Sequence, residues 1–222
     1  MDNRITGEQK VFSDSIIVGT DANFDVYRNN LVYAFVNSQW AIFECVRAAI
    51  GDDNFRYFLK EYGTTLGVAF SDLSEAGSGL AAFLATHPKL ADSKWVADIA
   101  VIEYASYQSM RRPTSIASSM ACEGLVTLRL SYDVLTIYHA LKNGENVPND
   151  QEIAAGEYFY AFYVENEEVQ ACAINLVQFQ LVEVVKNAGG IEEMIESCGE
   201  KQEVVLQNLQ QLLSAGLLTL EA

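Results

Sequence analysis

The stretch Tyr158–Ile174, YFYAFYVENEEVQACAI, decides the fold of the second half of the chain. Its first part, Tyr158–Val164, is mostly aromatic, and such residues favour extended strands. The acidic segment Glu165–Glu168 predicts a turn, and Val169–Ile174 predicts a second strand, so the stretch as a whole predicts a β-hairpin. Upstream, Leu125–Leu130 alternates in the manner of a further strand.

Three helices are predicted after the hairpin, at about residues 175–188, 191–197 and 201–215. Each carries apolar residues at helical spacing, and Gly189-Gly190 separates the first helix from the second. Leu217–Leu220 could form a final strand. A hairpin packed on three short helices predicts the outline of a winged helix-turn-helix.

The first half of the chain is predicted to be helical. Apolar residues recur near the helical period from Phe24 to Ile50, Gly51 ends that helix, and Asp52 or Asp53 begins the next. A long helix follows from Trp95 to about Tyr107. The predicted fold class is therefore mainly α with a small α+β part: a helical N-terminal domain at 1–120 and a winged-helix-like domain at 121–222.

The charge of the chain argues against binding to nucleic acid. The 222 residues include 30 Asp and Glu but 14 Lys and Arg, for a net charge of −16. Residues 151–222 hold two basic residues, Lys186 and Lys201, and twelve acidic ones, which gives a net charge of −10. A DNA-binding winged helix presents Lys and Arg to phosphates. The alternative function, a DNA-binding transcriptional regulator, therefore conflicts with the electrostatics.

No recognisable catalytic or metal motif is present in the sequence. The two histidines are His87, expected on a surface loop because it precedes Pro88, and His139. The four cysteines are widely spaced and are expected to be reduced thiols: Cys45, Cys122, Cys172 and Cys198. No signal peptide or apolar run long enough for a membrane helix is seen, which predicts a cytoplasmic protein. A stand-alone enzyme of unrecognised type is a further hypothesis, which metal analysis of the isolated chain would test.

Two groups of polar residues in the helical half call for a structural role. Tyr27, Arg28 and Asn29 lie near the start of the first long helix, and Asp98 and Glu103 lie within the apolar helix from Trp95. Glu103 follows Val96 and Ala100 along one face and is predicted to be at least partly buried. A buried carboxylate needs a partner, and Arg28 is the predicted one. A role in a subunit interface is the alternative.

Three sequence blocks resemble a protein family, the HvfC/BufC/MbnC-like family, which was once labelled DNA-binding. The blocks are Tyr27-Arg28-Asn29-Asn30, Ile50–Phe55 (IGDDNF) and Asp98–Ala105 (DIAVIEYA), and they match the family pattern in order and spacing across residues 24–107. The second half matches only in outline. The brief N-terminal segment favours the branch that acts in methanobactin biosynthesis.

The resemblance implies a non-catalytic partner subunit. Such proteins bind a multinuclear non-heme iron enzyme of the MbnB/HvfB-like type, which modifies cysteines of a ribosomal precursor peptide, in the methanobactin branch to an oxazolone with an adjacent thioamide. The partner subunit helps to recruit the leader peptide through a domain similar to a peptide-recognition winged helix. The resemblance therefore implies no cofactor in this chain, with iron in the partner enzyme, and neither nucleic acid nor membrane among its partners.

An exposed edge of the hairpin is the predicted site for this peptide. A peptide that joins a sheet as an extra strand gains backbone hydrogen bonds, while side-chain pockets supply selectivity. The alternative for the aromatic run is plain hairpin core. The predicted peptide-binding residues are Tyr158, Tyr160, Phe162, Val164, Val169, Ala171 and Ala173.

Overall fold

The computed structural model describes residues 25–66, 75–111, 124–145, 153–187 and 191–219. These residues form a mainly helical protein with one three-stranded antiparallel sheet, which confirms the predicted fold class. The chain divides into two compact units, Met1–Ala100 with Ile137–Asn149 and Val101–Thr136 with Asp150–Ala222. The predicted domain boundary near residue 120 lies outside the described residues.

The first unit is built from helices. In chain order the helices are α1 (Asp25–Ile42), α2 (Glu44–Ile50), α3 (Asp52–Thr65), α4 (Leu80–Thr86), the start of α5 (Trp95–Arg111) and most of α6 (Leu135–Lys142), with 3-10 turns at Glu75–Gly79 and Pro88–Leu90. Phe43, Phe55 and Leu59 are among its fully buried side chains. Burial of such large apolar groups is the main source of stability for this unit.

One predicted helix is broken in the structure. The sequence predicts a continuous helix from Phe24 to Ile50, and this prediction was wrong at Phe43, where φ is −110° and ψ is 56° and the chain bends from α1 into α2. Phe43 is fully buried, so its ring packs into the core at the bend. Apolar periodicity did not reveal the break because Phe43 continues the apolar pattern on both sides.

The second unit contains the sheet, whose strands are β1 (Val126–Tyr132), β2 (Ala155–Glu165) and β3 (Glu168–Ile174). The strand order is β1-β2-β3, with both neighbouring pairs antiparallel. The predicted hairpin is therefore present as β2 and β3, and the predicted strand after Gly124 is present as β1.

The hairpin turn is formed by two residues, Asn166 and Glu167, which have φ angles of 52° and 65°. Two consecutive left-handed residues are the geometry of a type I′ turn, which matches the twist of the strands that it joins. The turn sets the register, in which Glu165 lies opposite Glu168 and Phe162 opposite Ala171.

Three helices pack on one face of the sheet: α7 (Leu176–Lys186), α8 (Ile191–Cys198) and α9 (Gln202–Ser214). Asn175 caps α7: its side-chain oxygen accepts from the backbone N–H of Gln178 at 2.9 Å, and the side-chain oxygen of Gln178 accepts from the backbone N–H of Asn175 at 3.0 Å. Leu181, Val185 and Leu212 form the core between these helices and the sheet. Leu217 and Leu218 are buried in the same core, whereas the end of the suggested final strand lies outside the described residues.

Within the part of the chain that the structure describes, no helix is both long and apolar enough to cross a membrane.

Candidate peptide-binding edge

The sheet has two outer strands among the described residues, β1 and β3, and the outer edge of β3 is the one that belongs to the predicted hairpin. β2 is the middle strand, and its two edges are occupied by β1 and β3. β3 pairs with β2 along Glu168–Ile174, and no described strand pairs with its other edge. Among the predicted peptide-binding residues, only those on β3 can therefore offer main-chain groups to a peptide; those on β2 can contribute side chains alone.

The predicted residues share one face of the sheet. The register pairs Tyr160 with Ala173 and Phe162 with Ala171, and residues directly opposite each other in an antiparallel pair project to the same side. Val164 pairs with Val169 on this face, and Tyr158 lies there by alternation. We call this face the aromatic face. It comprises residues of all three strands: Val126, Leu128 and Leu130 of β1, Tyr158, Tyr160, Phe162 and Val164 of β2, and Val169, Ala171 and Ala173 of β3.

Burial differs strongly across the aromatic face. Phe162 is 0% exposed and Tyr160 is 3% exposed, so both already belong to the core of this chain. Tyr158, Val164, Val169 and Ala171 are half-buried, and Ala173 is exposed. The side chains that a peptide can reach are therefore those toward β3, next to the unpaired backbone edge.

Two contacts fix the aromatic face. The Tyr160 hydroxyl donates to Asp133 Oδ1 at 2.9 Å, which satisfies the one polar group of a buried ring. Gly124 fits between β2 and the end of α5: a Cβ at this position would lie 2.8 Å from Val164 Cγ2 and 3.1 Å from the Ser109 carbonyl oxygen. Sequence reasoning missed Asp133 because a carboxylate after a strand carries no signal of its long-range partner.

The opposite face of the sheet is held by α7. The rings of Phe159 and Phe179 lie 5.0 Å apart. The Thr127 hydroxyl contacts the Glu183 carboxylate, and Lys186 Nζ reaches Glu183 Oε1 at 2.8 Å. Cys172 of β3 also faces this side, where burial raises the pKa of its thiol. β3 is thus backed by a packed helix layer that presents its free edge in a fixed position.

Most of β3 lacks charged residues and proline, two of the usual protections against strand addition. From Val169 to Ile174, β3 contains no charged residue and no proline. Natural edge strands are commonly guarded by lysine, proline, bulges or covering segments. A segment without these two protections is suited to pairing with another chain.

Charge surrounds the start of this edge. Glu165, Glu167 and Glu168 are all exposed at the hairpin tip. Glu165 and Glu168 lie directly opposite each other in the register, and like charges so placed repel. A peptide with a Lys or Arg near this end of the edge would relieve that repulsion.

The predictions for polar residues of the helical half are confirmed for one residue and stay predictions for others. Glu103 is 6% exposed, which confirms its predicted burial within α5, and Asp98 is half-buried. Tyr27, Arg28 and Asn29 belong to α1, but their side chains lie outside the described part of the structure. The ion pair between Arg28 and Glu103 therefore stays a prediction.

The prediction that His87 lies on a surface loop was wrong. Its side chain is 7% exposed and packs edge-on against Phe58, with ring centroids 4.7 Å apart. Nδ1 accepts from the backbone N–H of Lys89 at 3.2 Å, and Nε2 faces Glu61 Oε2 at 3.3 Å. The hydrogen bond from Tyr57 and the contact with His87 lower the pKa of Glu61. This cluster ties α3 to the loop after α4.

The cysteines and acidic residues form no evident metal centre in the described ranges. Cys45, Cys172 and Cys198 are reduced thiols that form no disulfide among the described residues, and Cys122 lies outside those ranges. No group of three or more His, Cys, Asp or Glu side chains is placed to hold a metal ion among the residues that the structure describes.

No protein-family model matches the chain, and no curated protein matches it. The three blocks of sequence resemblance therefore remain the basis for the expected family.

Proposed function

We propose that this chain is a non-catalytic, peptide-binding subunit that takes up a segment of a precursor peptide as a fourth strand along β3. The observation that carries the proposal is the outer edge of β3, which pairs with no strand among the described residues, has no charge from Val169 to Ile174 and has a packed helix layer behind it. Main-chain hydrogen bonds would supply the affinity. The half-buried side chains toward β3 would select the sequence.

The sequence resemblance gives the biological setting of this proposal. The peptide is the leader of a cysteine-containing ribosomal precursor, and the chemistry belongs to a separate multinuclear non-heme iron enzyme, which forms oxazolone and thioamide groups of the methanobactin type. This chain holds the peptide and supports the enzyme in a cytoplasmic complex. The three ordered blocks in residues 24–107 support this assignment.

The winged-helix outline is the one feature that favours a DNA-binding regulator, and the charge of the chain opposes it. The helix that would enter a DNA groove, α9, has the sequence QEVVLQNLQQLLS and contains no Lys or Arg. Phosphate contacts supply most of the affinity of nucleic-acid binding.

Two neighbouring proline substitutions test the strand-addition site. In an edge strand, alternate residues direct their N–H and C=O groups inward to the ladder or outward. One of Gln170→Pro and Ala171→Pro therefore removes a bond to β2 and lowers the melting temperature, and the other removes only an outward N–H. We expect the variant that melts like the wild type to lose binding of a fluorescein-labelled leader peptide in anisotropy titrations.

The pair provides its own control. A variant with the wild-type melting temperature and wild-type peptide affinity would exclude the β3 edge as the binding site.

The enzyme partnership is tested by co-expression with an MbnB/HvfB-like iron enzyme encoded near this chain. We expect one co-eluting complex in gel filtration, with iron that remains with the enzyme when the subunits are separated. Two separate peaks at micromolar concentration would contradict the proposed complex, while peptide binding by the isolated chain would still be measurable.

A further inference from the structure

A groove in the first unit has a chemistry unlike that of the peptide-binding edge. It lies between α1 and α3 and has a volume of about 510 Å³, within the usual range for binding sites. Its lining residues recur at helical spacing on both helices, so the groove follows two helical turns on each side. The principal lining residues are Val32, Tyr33, Val36, Trp40, Arg56 and Lys60.

The groove is apolar at its base and cationic at its rim. Val36 is 5% exposed, whereas Tyr33 is 60% exposed beside it. Arg56 and Lys60 are both exposed, and neither has an ion-pair partner among the described residues. No acidic side chain lines the groove in the part of the chain that is described. In a chain of net charge −16, this is a local excess of positive charge.

Trp40 forms one wall of the groove. Its ring lies 5.6 Å from that of Phe55, and the guanidinium carbons of Arg47 and Arg56 lie 5.0 Å and 5.1 Å from its centroid. A cation that already stacks on an indole ring loses little further side-chain conformational entropy when a ligand binds beside it. Arg47 also contacts Asp52 at 3.7 Å, whereas Arg56 does not share an acidic partner.

We infer that this groove is a docking site for an acidic amphipathic helix of a partner protein. Apolar side chains of such a helix would fill the space above Val32 and Val36 and against Trp40, and its carboxylates would pair with Arg56 and Lys60. Helix-in-groove recognition uses this combination of anchors at i, i+3 and i+4 with charges at the margin. The inference depends on side chains of the first unit alone and does not rest on peptide binding by β3.

The test uses the full chain with Trp95→Phe, which leaves Trp40 as the single tryptophan, so that its emission reports directly on the groove. The probe is a synthetic amphipathic peptide of about 16 residues, near the length at which isolated helices form, with Leu on one face and Glu on the others. The matched probe has Lys in place of each Glu. We expect the acidic probe alone to shift the Trp40 emission, with an affinity that falls as NaCl rises.

Charge reversals then locate the site. Arg56→Glu with Lys60→Glu should weaken binding of the acidic probe by about tenfold or more, since two attractive contacts become repulsive. Lys94→Glu with Lys142→Glu makes the same change in net charge at exposed positions away from the groove and should leave the affinity within about twofold.

Three results would overturn the inference. The first is the absence of any Trp40 response to the acidic probe at low salt. The second is an equal loss of affinity in the two charge-reversal variants. The third is concentration-dependent self-association that Arg56→Glu with Lys60→Glu abolishes, which would assign the groove to a second copy of this chain.

Discussion

The β3 edge and the α1–α3 groove offer opposite means of recognition. The edge offers backbone groups and is flanked by the carboxylates of Glu165, Glu167 and Glu168. The groove is lined by two helices, which bond most main-chain groups internally, and it offers aromatic and cationic side chains. A strand edge tolerates many sequences because main-chain groups are common to all peptides, whereas a side-chain groove selects by shape and charge.

The ligands proposed for the two surfaces also differ in charge. A basic extended segment suits the acidic end of the edge, and an acidic helix suits the cationic rim of the groove. Because the preferred charges are opposite, each ligand is repelled from the other surface.

Removing a ring should have its largest effect in the sheet. Phe162→Ala deletes a side chain that is 0% exposed, and a cavity of that kind lowers the free energy of unfolding by about 3–5 kcal/mol. Tyr33→Ala removes a ring of the groove that is 60% exposed and should change the unfolding free energy by about 0.5 kcal/mol or less. Urea unfolding followed by circular dichroism measures both.

Equal losses in these two variants would contradict the assignment of Phe162 to the core. A lower dependence of the unfolding free energy on urea concentration for Phe162→Ala would indicate a change in the compactness of its denatured or native state. The urea midpoint and this slope should therefore both be reported for each variant.

Alanine substitutions at two glycines separate the cost of a steric clash from the cost of a strained backbone. Gly124 and Gly144 have φ angles of +69° and +73°, so alanine is strained at either position, by about 1–2 kcal/mol. A Cβ at Gly124 also meets Val164 at 2.8 Å, whereas nothing lies within 4 Å at Gly144. Gly124→Ala should therefore destabilise the protein by about 1–3 kcal/mol more than Gly144→Ala, as measured by thermal or urea unfolding.

The Gly124→Ala substitution also acts next to the proposed peptide-binding edge, because the Val164 side chain that it contacts lies opposite Val169 of β3. A similar stability for the two glycine variants would show that the aromatic face can adjust near Ser109 without strain.

The smallest expected effect concerns the pH dependence of the helical unit. The pKa of Glu61 is below its ordinary value of 4.5, with the Tyr57 hydrogen bond as the largest cause. Ionised Glu61 therefore adds stability above about pH 4.5, and this contribution is lost as the pH falls through the lowered folded-state pKa. The difference in unfolding midpoint between the wild type and Glu61→Gln should be present at neutral pH and shrink in acid. A difference that does not change with pH would contradict this role.

The hairpin was predictable because its signals are local. Aromatic and β-branched residues cluster in Tyr158–Val164, an acidic segment separates them from Val169–Ile174, and the alternation of residues places the aromatic face on one side. The burial of Glu103 was likewise predicted, from the helical spacing of its apolar neighbours Val96 and Ala100.

Other features depend on contacts between distant residues. The bend at Phe43 breaks no local pattern, and the environment of His87 is made by Phe58 and Phe83 from two other helices. Sequence periodicity also could not show that β2 would be the middle strand, because pairing on both sides requires the position of β1. The groove required the packing of α1 beside α3, although the spacing of Arg56 and Lys60 by four residues was a visible clue.

The sequence of the hairpin turn is not the one that type I′ turns favour most. Type I′ turns favour Asn followed by Gly, and here Asn166 is followed by Glu167 with a φ of 65°. We therefore expect the tip to be the weakest part of the hairpin ladder, with amide protons that exchange with deuterium sooner than those near Ala161 at the centre of β2. Ladder opening that begins at the tip would leave the central rungs closed, so the hairpin can loosen at one end while its register is retained.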